Sequence, residues 1–254
     1  MTGYEKIQDY YRKKGSLALY QEYVTGSRSL WELFKYEILI NLMAGVPGAL
    51  GLMSRKLFYP LMISYCGKGI VWGRNMVIRY PQKIRIGDQC IFDDGCVLDA
   101  KGGTNQGISL GKSCMIGRHS IFGCKNSDIL IGNHVGISPH CIIHAVDISR
   151  VVVEDHVVVG PMVYLAGGSN YHFEKTEIPI SEQGMDLKGG IHIGKNCWIG
   201  ANTVILDGVT VGNDCIIGAG SVVTKDLPPF AVALGNPAKI IRVRGSEGLT
   251  GPEQ

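Results

Sequence analysis

Seven histidines and eight cysteines are the residues of this chain best suited to chemistry. Imidazole changes its charge between pH 5 and 8, so a histidine can take and return a proton near neutrality. The histidines stand at 119, 134, 140, 144, 156, 172 and 192. His172 is set apart by its neighbourhood. It lies in a long excursion, residues 166–190, that contains Ala166-Gly167-Gly168-Ser169-Asn170-Tyr171-His172-Phe173 and then Ile178-Pro179-Ile180-Ser181-Glu182-Gln183. A structureless stretch of that length inside a compact domain is usually functional. The cysteines are the other candidates, as metal ligands or redox groups. None of them forms a C-x-x-C pair, so no strong metal or redox spacing is present.

The excursion interrupts a repeat, and the repeat must position it. Ile193, Ile199, Ile205, Val211, Ile217 and Val223 stand six apart without a miss. Gly194, Gly200, Gly212 and Gly218 each follow one of them. The fourth residue after the aliphatic one is small or compact: Cys197, Thr203, Val209, Cys215, Ser221. The same register reads back through Ile86-Gly87, Leu110-Gly111, Ile116-Gly117, Ile131-Gly132 and Val159-Gly160. Neither a helix nor a flat strand repeats at six. Such a period fits a three-sided solenoid, each unit giving one short strand and an axis-facing aliphatic residue. Stacked coils then bury a continuous ladder, and both ends need covers. The pattern predicts about six to seven triangular coils. Six cysteines (Cys90, Cys96, Cys114, Cys141, Cys197, Cys215) fall in the small inward slot, which favours packing over redox chemistry.

Composition agrees with this reading. Glycine makes up 35 of 254 residues, about 14% and roughly twice its usual share. Hydrophobic residues make up 45%, which argues against a disordered chain. The net charge of +3 lies entirely in the first quarter: residues 1–60 hold eight Lys/Arg against five Asp/Glu, and the rest holds seventeen of each. That balance excludes a nucleic-acid domain, which would carry a strongly basic face. No secretory signal opens the chain, so a cytoplasmic location with free thiols is expected.

Residues 1–66 lack the repeat and form an N-terminal helical segment in this reading; 67–245 form the β-helix domain and 246–254 a tail. Residues 4–23 can form a helix. Ser29 precedes an apolar-periodic run from Leu30 and predicts a second helix start. From Ile38 to Ser54 there is no charge; Pro47-Gly48 breaks the run and Arg55-Lys56 closes it. A spanning helix needs about 20 apolar residues, so the break argues against a span. The segment fits two roles equally: an in-plane membrane anchor with cationic flanks over residues 29–60, or helices packed on the protein or a partner subunit.

The repeat resembles that of the hexapeptide-repeat acyltransferases, and the likeness covers residues 70–245. Within that family, the excursion resembles the acceptor loop of the maltose, galactoside and sugar O-acetyltransferase branch. The resemblance implies a mainly β chain, a left-handed parallel β-helix with N-terminal helices and a short C-terminal extension. It implies a homotrimer with active sites between subunits, acetyl-CoA as co-substrate, no metal, and a saccharide hydroxyl as acceptor. A lipid-linked glycan and peripheral attachment to the inner membrane face follow if the apolar N-terminus binds lipid. His172 becomes the general base. Asp147, Asn170, Tyr171 and Trp198 become acceptor-side residues. Ala201, Ala219, Thr224, Lys225, Lys239 and Arg242 become the coenzyme A contacts, with small residues admitting the pantetheine chain and cations meeting its phosphates. The backbone N–H near Ala201 is the expected oxyanion donor. Two other readings compete. One is a non-catalytic β-helix scaffold. The other is a metal-dependent hydratase, since gamma-class carbonic anhydrases share the fold; His140-Cys141-Ile142-Ile143-His144 is one residue shorter than their H-x-x-x-x-H element.

Overall fold

The computed structural model describes residues 15–168 and 170–245. The expected helix over 4–23 lies partly outside them. Its described part is α1, Ser16–Val24. Helix α2 runs Leu30–Met43, and the Ser29 hydroxyl accepts the Glu32 N–H, so the cap read from the sequence is in place. After the Pro47 break, α3 runs Gly48–Phe58. No helix among the described residues is long and apolar enough to cross a membrane.

From Tyr65 onward the chain winds into a three-faced parallel solenoid of about seven coils. Face A holds seven strands and includes Ile84–Ile86, Arg150–Val153 and Gly190–Ile193. Face B holds eight and includes Met115–Ile116, Trp198–Ile199 and the terminal Lys239–Val243. Face C holds seven and includes Ile121–Lys125, Ile142–Val146 and Tyr164–Ala166. The chain visits A, B and C in turn, so each hexad residue stacks on its equivalent one coil away: Ile129, Val151 and Ile191 align on A, and Ile137, Val159 and Ile199 on B. These axis-facing side chains are almost fully buried.

The small inward slot does more than fill space. Cys90, Cys114, Cys141, Cys197 and Cys215 each place Sγ 3.1 Å from a carbonyl oxygen of the neighbouring coil, at Gly111, Gly132, Gly160, Gly212 and Pro228. Ser120 and Thr203 make the same kind of contact with Ser138 and Gly218. The slot therefore takes a small side chain, and where that side chain can donate it also reaches a neighbouring carbonyl; Val135, Val157, Val163 and Val209 fill it by packing alone. Cys124, unplaced by the hexad register, points inward from face C and is buried.

Both ends of the ladder are covered. At the N-terminal end Tyr59 meets Trp72 edge-on at 5.4 Å, and Trp72 stacks on Phe92 at 5.2 Å. Arg55 is buried beside them, so of the two cations that close the uncharged run it is not a surface flank. Its guanidinium donates to the carbonyls of Trp72, Met43 and Val46, and so ties the helix break to the first coil. At the other end, Ala231–Leu234 joins face B and Lys239–Val243 folds back antiparallel on it.

Candidate active site

The excursion leaves the solenoid at the corner where face C turns into face A. Within it Asn170–Tyr171 and Met185–Asp186 form a two-stranded antiparallel hairpin, with Asn170 opposite Asp186 and Tyr171 opposite Met185. His172 follows directly, and its N–H donates to the Gly184 carbonyl at 3.0 Å. This closure brings His172 Nε2 to 3.1 Å from Asp186 Oδ1. Asp186 is the acid partner that sequence reasoning missed. It is fourteen residues from the histidine, and only the hairpin register brings the two together.

Two further devices hold the loop. Gln183 accepts the Lys175 N–H through Oε1 and donates through Nε2 to the carbonyls of Lys175 and Ile178. The Pro-Ile-x-x-Gln stretch thus carries an internal brace. At the stem, buried Asp207 takes three donors: Ser149 Oγ at 2.8 Å, Lys188 N at 2.7 Å and Gly190 N at 2.8 Å. A carboxylate with three donors in a buried site is strongly held. Gly190 must be glycine: its φ is +103°, and a β-carbon there would overlap the Arg150 carbonyl. Asn170 is half-buried and its Nδ2 is enclosed without a hydrogen-bond partner, beside the histidine.

Asp147 lies on the same corner, one coil before the excursion. It is exposed, takes the left-handed conformation with φ of 50°, and accepts from Asn126 Nδ2 at 3.3 Å. Gly168, at the base of the excursion, packs on Val146 next to it. Thr224 and Lys225 follow the face C strand Val222–Val223, and so occupy this corner two coils further on.

The remaining candidates occupy a different corner. Ala201 follows the face B strand Trp198–Ile199, and Ala219 follows Ile216–Ile217 on the same face. Both sit at the B–C corner and stack: a β-carbon at Gly160 would lie 2.7 Å from Ala201 N, and one at Gly200 would lie 2.5 Å from Ala219 N. The Gly235–Ala238 stretch continues this column, with Val222 N donating to Gly235 O and Ala238 N to Val222 O. Lys239 and Arg242 lie on the exposed strand that follows. Trp198 stands outward on face B, 57% exposed, in line with Val158, Met115 and Ile91, which are also exposed. The equivalent outward row of face A runs Arg85, Ser109, Leu130, Val152, His192 and Thr210, polar at both ends. One chain therefore does not bring His172 together with Ala201 and Trp198.

The other histidines have structural surroundings. His119 stacks on His140 and His134 on His156, with all four in left-handed corner positions. His192 Nε2 meets Glu154 Oε1 at 2.9 Å. His144 is half-buried on face C, and burial lowers its pKa. Among the described residues no three His, Cys, Asp or Glu side chains converge to hold a metal ion.

Comparison with known proteins follows the repeat. Residues 190–225 match the family described as bacterial transferase hexapeptide (six repeats). Nodulation protein L of Rhizobium meliloti is 43% identical over 119 residues, which cover 46% of this chain and 60% of that protein. A Staphylococcus aureus protein named as a candidate acetyltransferase is 38% identical over 60 residues, covering 24% of this chain and 30% of its own. A solved galactoside acetyltransferase in complex with coenzyme A is 24% identical, with a TM-score of 0.42 over 84% of this chain and 80% of its own. The chain spans less than two thirds of the length of these curated relatives.

Proposed function

We propose that this hexapeptide-repeat protein is an acetyl-CoA-dependent O-acetyltransferase acting on a saccharide hydroxyl. The observation that carries the reading is the His172–Asp186 pair, held at 3.1 Å on a braced hairpin that projects from a rigid solenoid. A histidine oriented by a carboxylate is the arrangement that proton transfer from a hydroxyl needs. The relatives named as acetyltransferases support the reaction class.

With Nε2 donating to Asp186, His172 Nδ1 carries the lone pair that receives the acceptor's proton. The acceptor oxygen attacks the thioester carbonyl carbon, and the backbone N–H of Ala201 donates to the oxygen that becomes negative. Collapse breaks the carbon–sulfur bond, and the proton on Nδ1 passes to the departing thiolate. No covalent acyl-enzyme is needed. Tyr171, next to His172 in sequence and exposed, and Asp147 on the same corner one coil earlier would contact the acceptor.

The separation of the two corners supports a homotrimer. The loop corner of one subunit, with His172, Thr224 and Lys225, would face the Ala201–Ala219 column and the Lys239 and Arg242 cations of the next. The apolar row of face B around Trp198 fits burial in that contact. Replacement of His172 by Ala tests the enzyme reading. Turnover of acetyl-CoA with a glycan acceptor is expected to fall about 10²–10⁴-fold, with coenzyme A binding retained. Full activity overturns it.

The helical segment supports attachment to a membrane surface. On α2, Leu30, Trp31, Phe34 and Leu42 are each more than half exposed, and on α3 and just beyond it so are Leu50, Met53, Leu57 and Leu61. Each set falls on one side of its helix at 3.6-residue spacing. An apolar stripe on each of two helices too short to span fits an in-plane position in lipid.

A further inference from the structure

A cavity of about 890 Å³ lies at the C–A corner, between α1 and the first coils, away from His172 and the alanine column. Its floor is the turn after the face C strand Val97–Lys101, and its walls include Tyr23, Tyr80, Arg28, Lys101 and Lys125. The floor is rigid. Lys83 Nζ donates to Gly103 O and Asn105 Oδ1, and Asn105 Nδ2 donates to Lys101 O and Ser127 O. Asn126 Oδ1 accepts the Gly103 N–H, while its Nδ2 reaches Asp147. The cavity is thus linked by one side chain to the corner that carries the hairpin loop.

Its charge is one-sided. Among the described residues, Arg28, Lys101 and Lys125 line it against one carboxylate, Glu22. Lys101 shares Asp99 with Arg79, and its ammonium lies 4.0 Å from the Tyr23 ring centroid. Among the described residues, neither Arg28 nor Lys125 has a carboxylate partner within ion-pair distance. Two exposed cations, Arg28 and Lys125, line the cavity beside Lys101 over a fixed floor, and a phosphate suits such a lining.

The coils set its distance from the loop. Lys125 and Asp147 are on successive coils, since Asp147 N donates to Lys125 O, and Gly168 lies one coil beyond. Parallel strands lie about 4.8 Å apart, so the cavity sits roughly 10–15 Å below the loop stem. That is the length of two or three sugar rings. Arg28 also lies two residues before Leu30, where the apolar stripe of α2 begins.

We propose that this cavity binds the phosphate or diphosphate of a glycosyl phosphate acceptor, holding the reducing end while a distal sugar hydroxyl reaches His172. The inference rests on the acetyltransferase reading for the role of the site, and its binding test stands without it. The experiment uses the full chain and titrates N-acetylglucosamine 1-phosphate, then N-acetylglucosamine, by calorimetry at low salt. Binding of the phosphorylated sugar is expected to be at least tenfold tighter and to weaken with added salt. Arg28→Glu with Lys125→Glu, both exposed positions, is expected to lose that preference, and His172→Ala to keep it. Equal binding of the two sugars, or an unchanged preference in the double variant, overturns the proposal. A second arm presents N-acetylglucosamine diphosphate on a polyprenyl chain in neutral liposomes. Tighter binding there assigns the lipid-linked source, equal binding assigns the soluble one, and binding in neither arm overturns the site. Loss of acetyl transfer in His172→Ala with phosphate binding intact separates failure of this site from failure of the enzyme reading.

Discussion

His172 Nε2 and Asp186 Oδ1 lie 3.1 Å apart because Gly184 O accepts the histidine's own N–H. The side-chain pair is thus a product of hairpin register. Both partners are substantially exposed, at 44% and 68%, so the contact adds little stability. On the proposed reading its value is orientation. Asp186→Asn is expected to lower kcat about tenfold with little change in the KM for acetyl-CoA and no change in Tm. A parallel fall in Tm would assign the carboxylate a structural role instead.

Asp207 is the opposite case. It is buried and satisfies three donors at the loop stem. Asp207→Ala leaves all three unpaired, and hydrogen bonds to a charged group contribute about 1.5–3 kcal/mol each. A loss of about 3 kcal/mol or more is expected in denaturant unfolding, with faster amide exchange at Lys188 and Gly190. Unchanged exchange at these two amides would show that the stem is held by other contacts.

Acid should weaken the protein through His144. Burial favours its neutral imidazole and lowers its folded pKa below the unfolded value of about 6.5. The unfolded chain then binds the proton more readily. Stability is full above the unfolded value and falls as pH drops through the window beneath it. The wild type is expected to show a lower Tm at pH 5 than at pH 7, and His144→Gln a smaller difference. Asp94 and Asp155, whose carboxyls are held low by backbone N–H donors, act only at more acidic pH.

The apolar stripes of α2 and α3 make a separate prediction. Trp31→Ser with Leu50→Ser removes two of the most exposed apolar side chains without touching the buried row Leu33, Tyr36 and Leu39. Flotation with liposomes is expected to carry the wild type and to leave most of the variant behind, with Tm unchanged. Equal flotation of the two would place lipid contact elsewhere or nowhere on these helices.

The repeat made most of the fold legible, because one residue in six had to face the axis and a second had to be small. The Ser29 cap and the Pro47 break were equally local signals. The excursion and its histidine were visible because they interrupted the register. Asp186 and Asp207 were not, since each meets its partners across long sequence separations that no periodicity encodes. Arg55 misled for a related reason. Beside Lys56 it reads as a surface cation, and only the packing of Trp72 and the open carbonyls of Met43 and Val46 turn it inward. The hexad slot was read by size alone, while its contacts with neighbouring carbonyls required the coils to be stacked.

Stacked coils also act as a ruler. The loop stem and the cationic cavity share one corner and are separated by a whole number of rungs. Inserting one complete coil between Asn126 and Asp147 would preserve every corner and lengthen the gap by about 4.8 Å. Deleting one would shorten it equally. With the acceptor anchored as proposed, such a change would shift which residue of a glycan of identical sugars meets the loop, by close to one ring, while leaving the loop itself untouched.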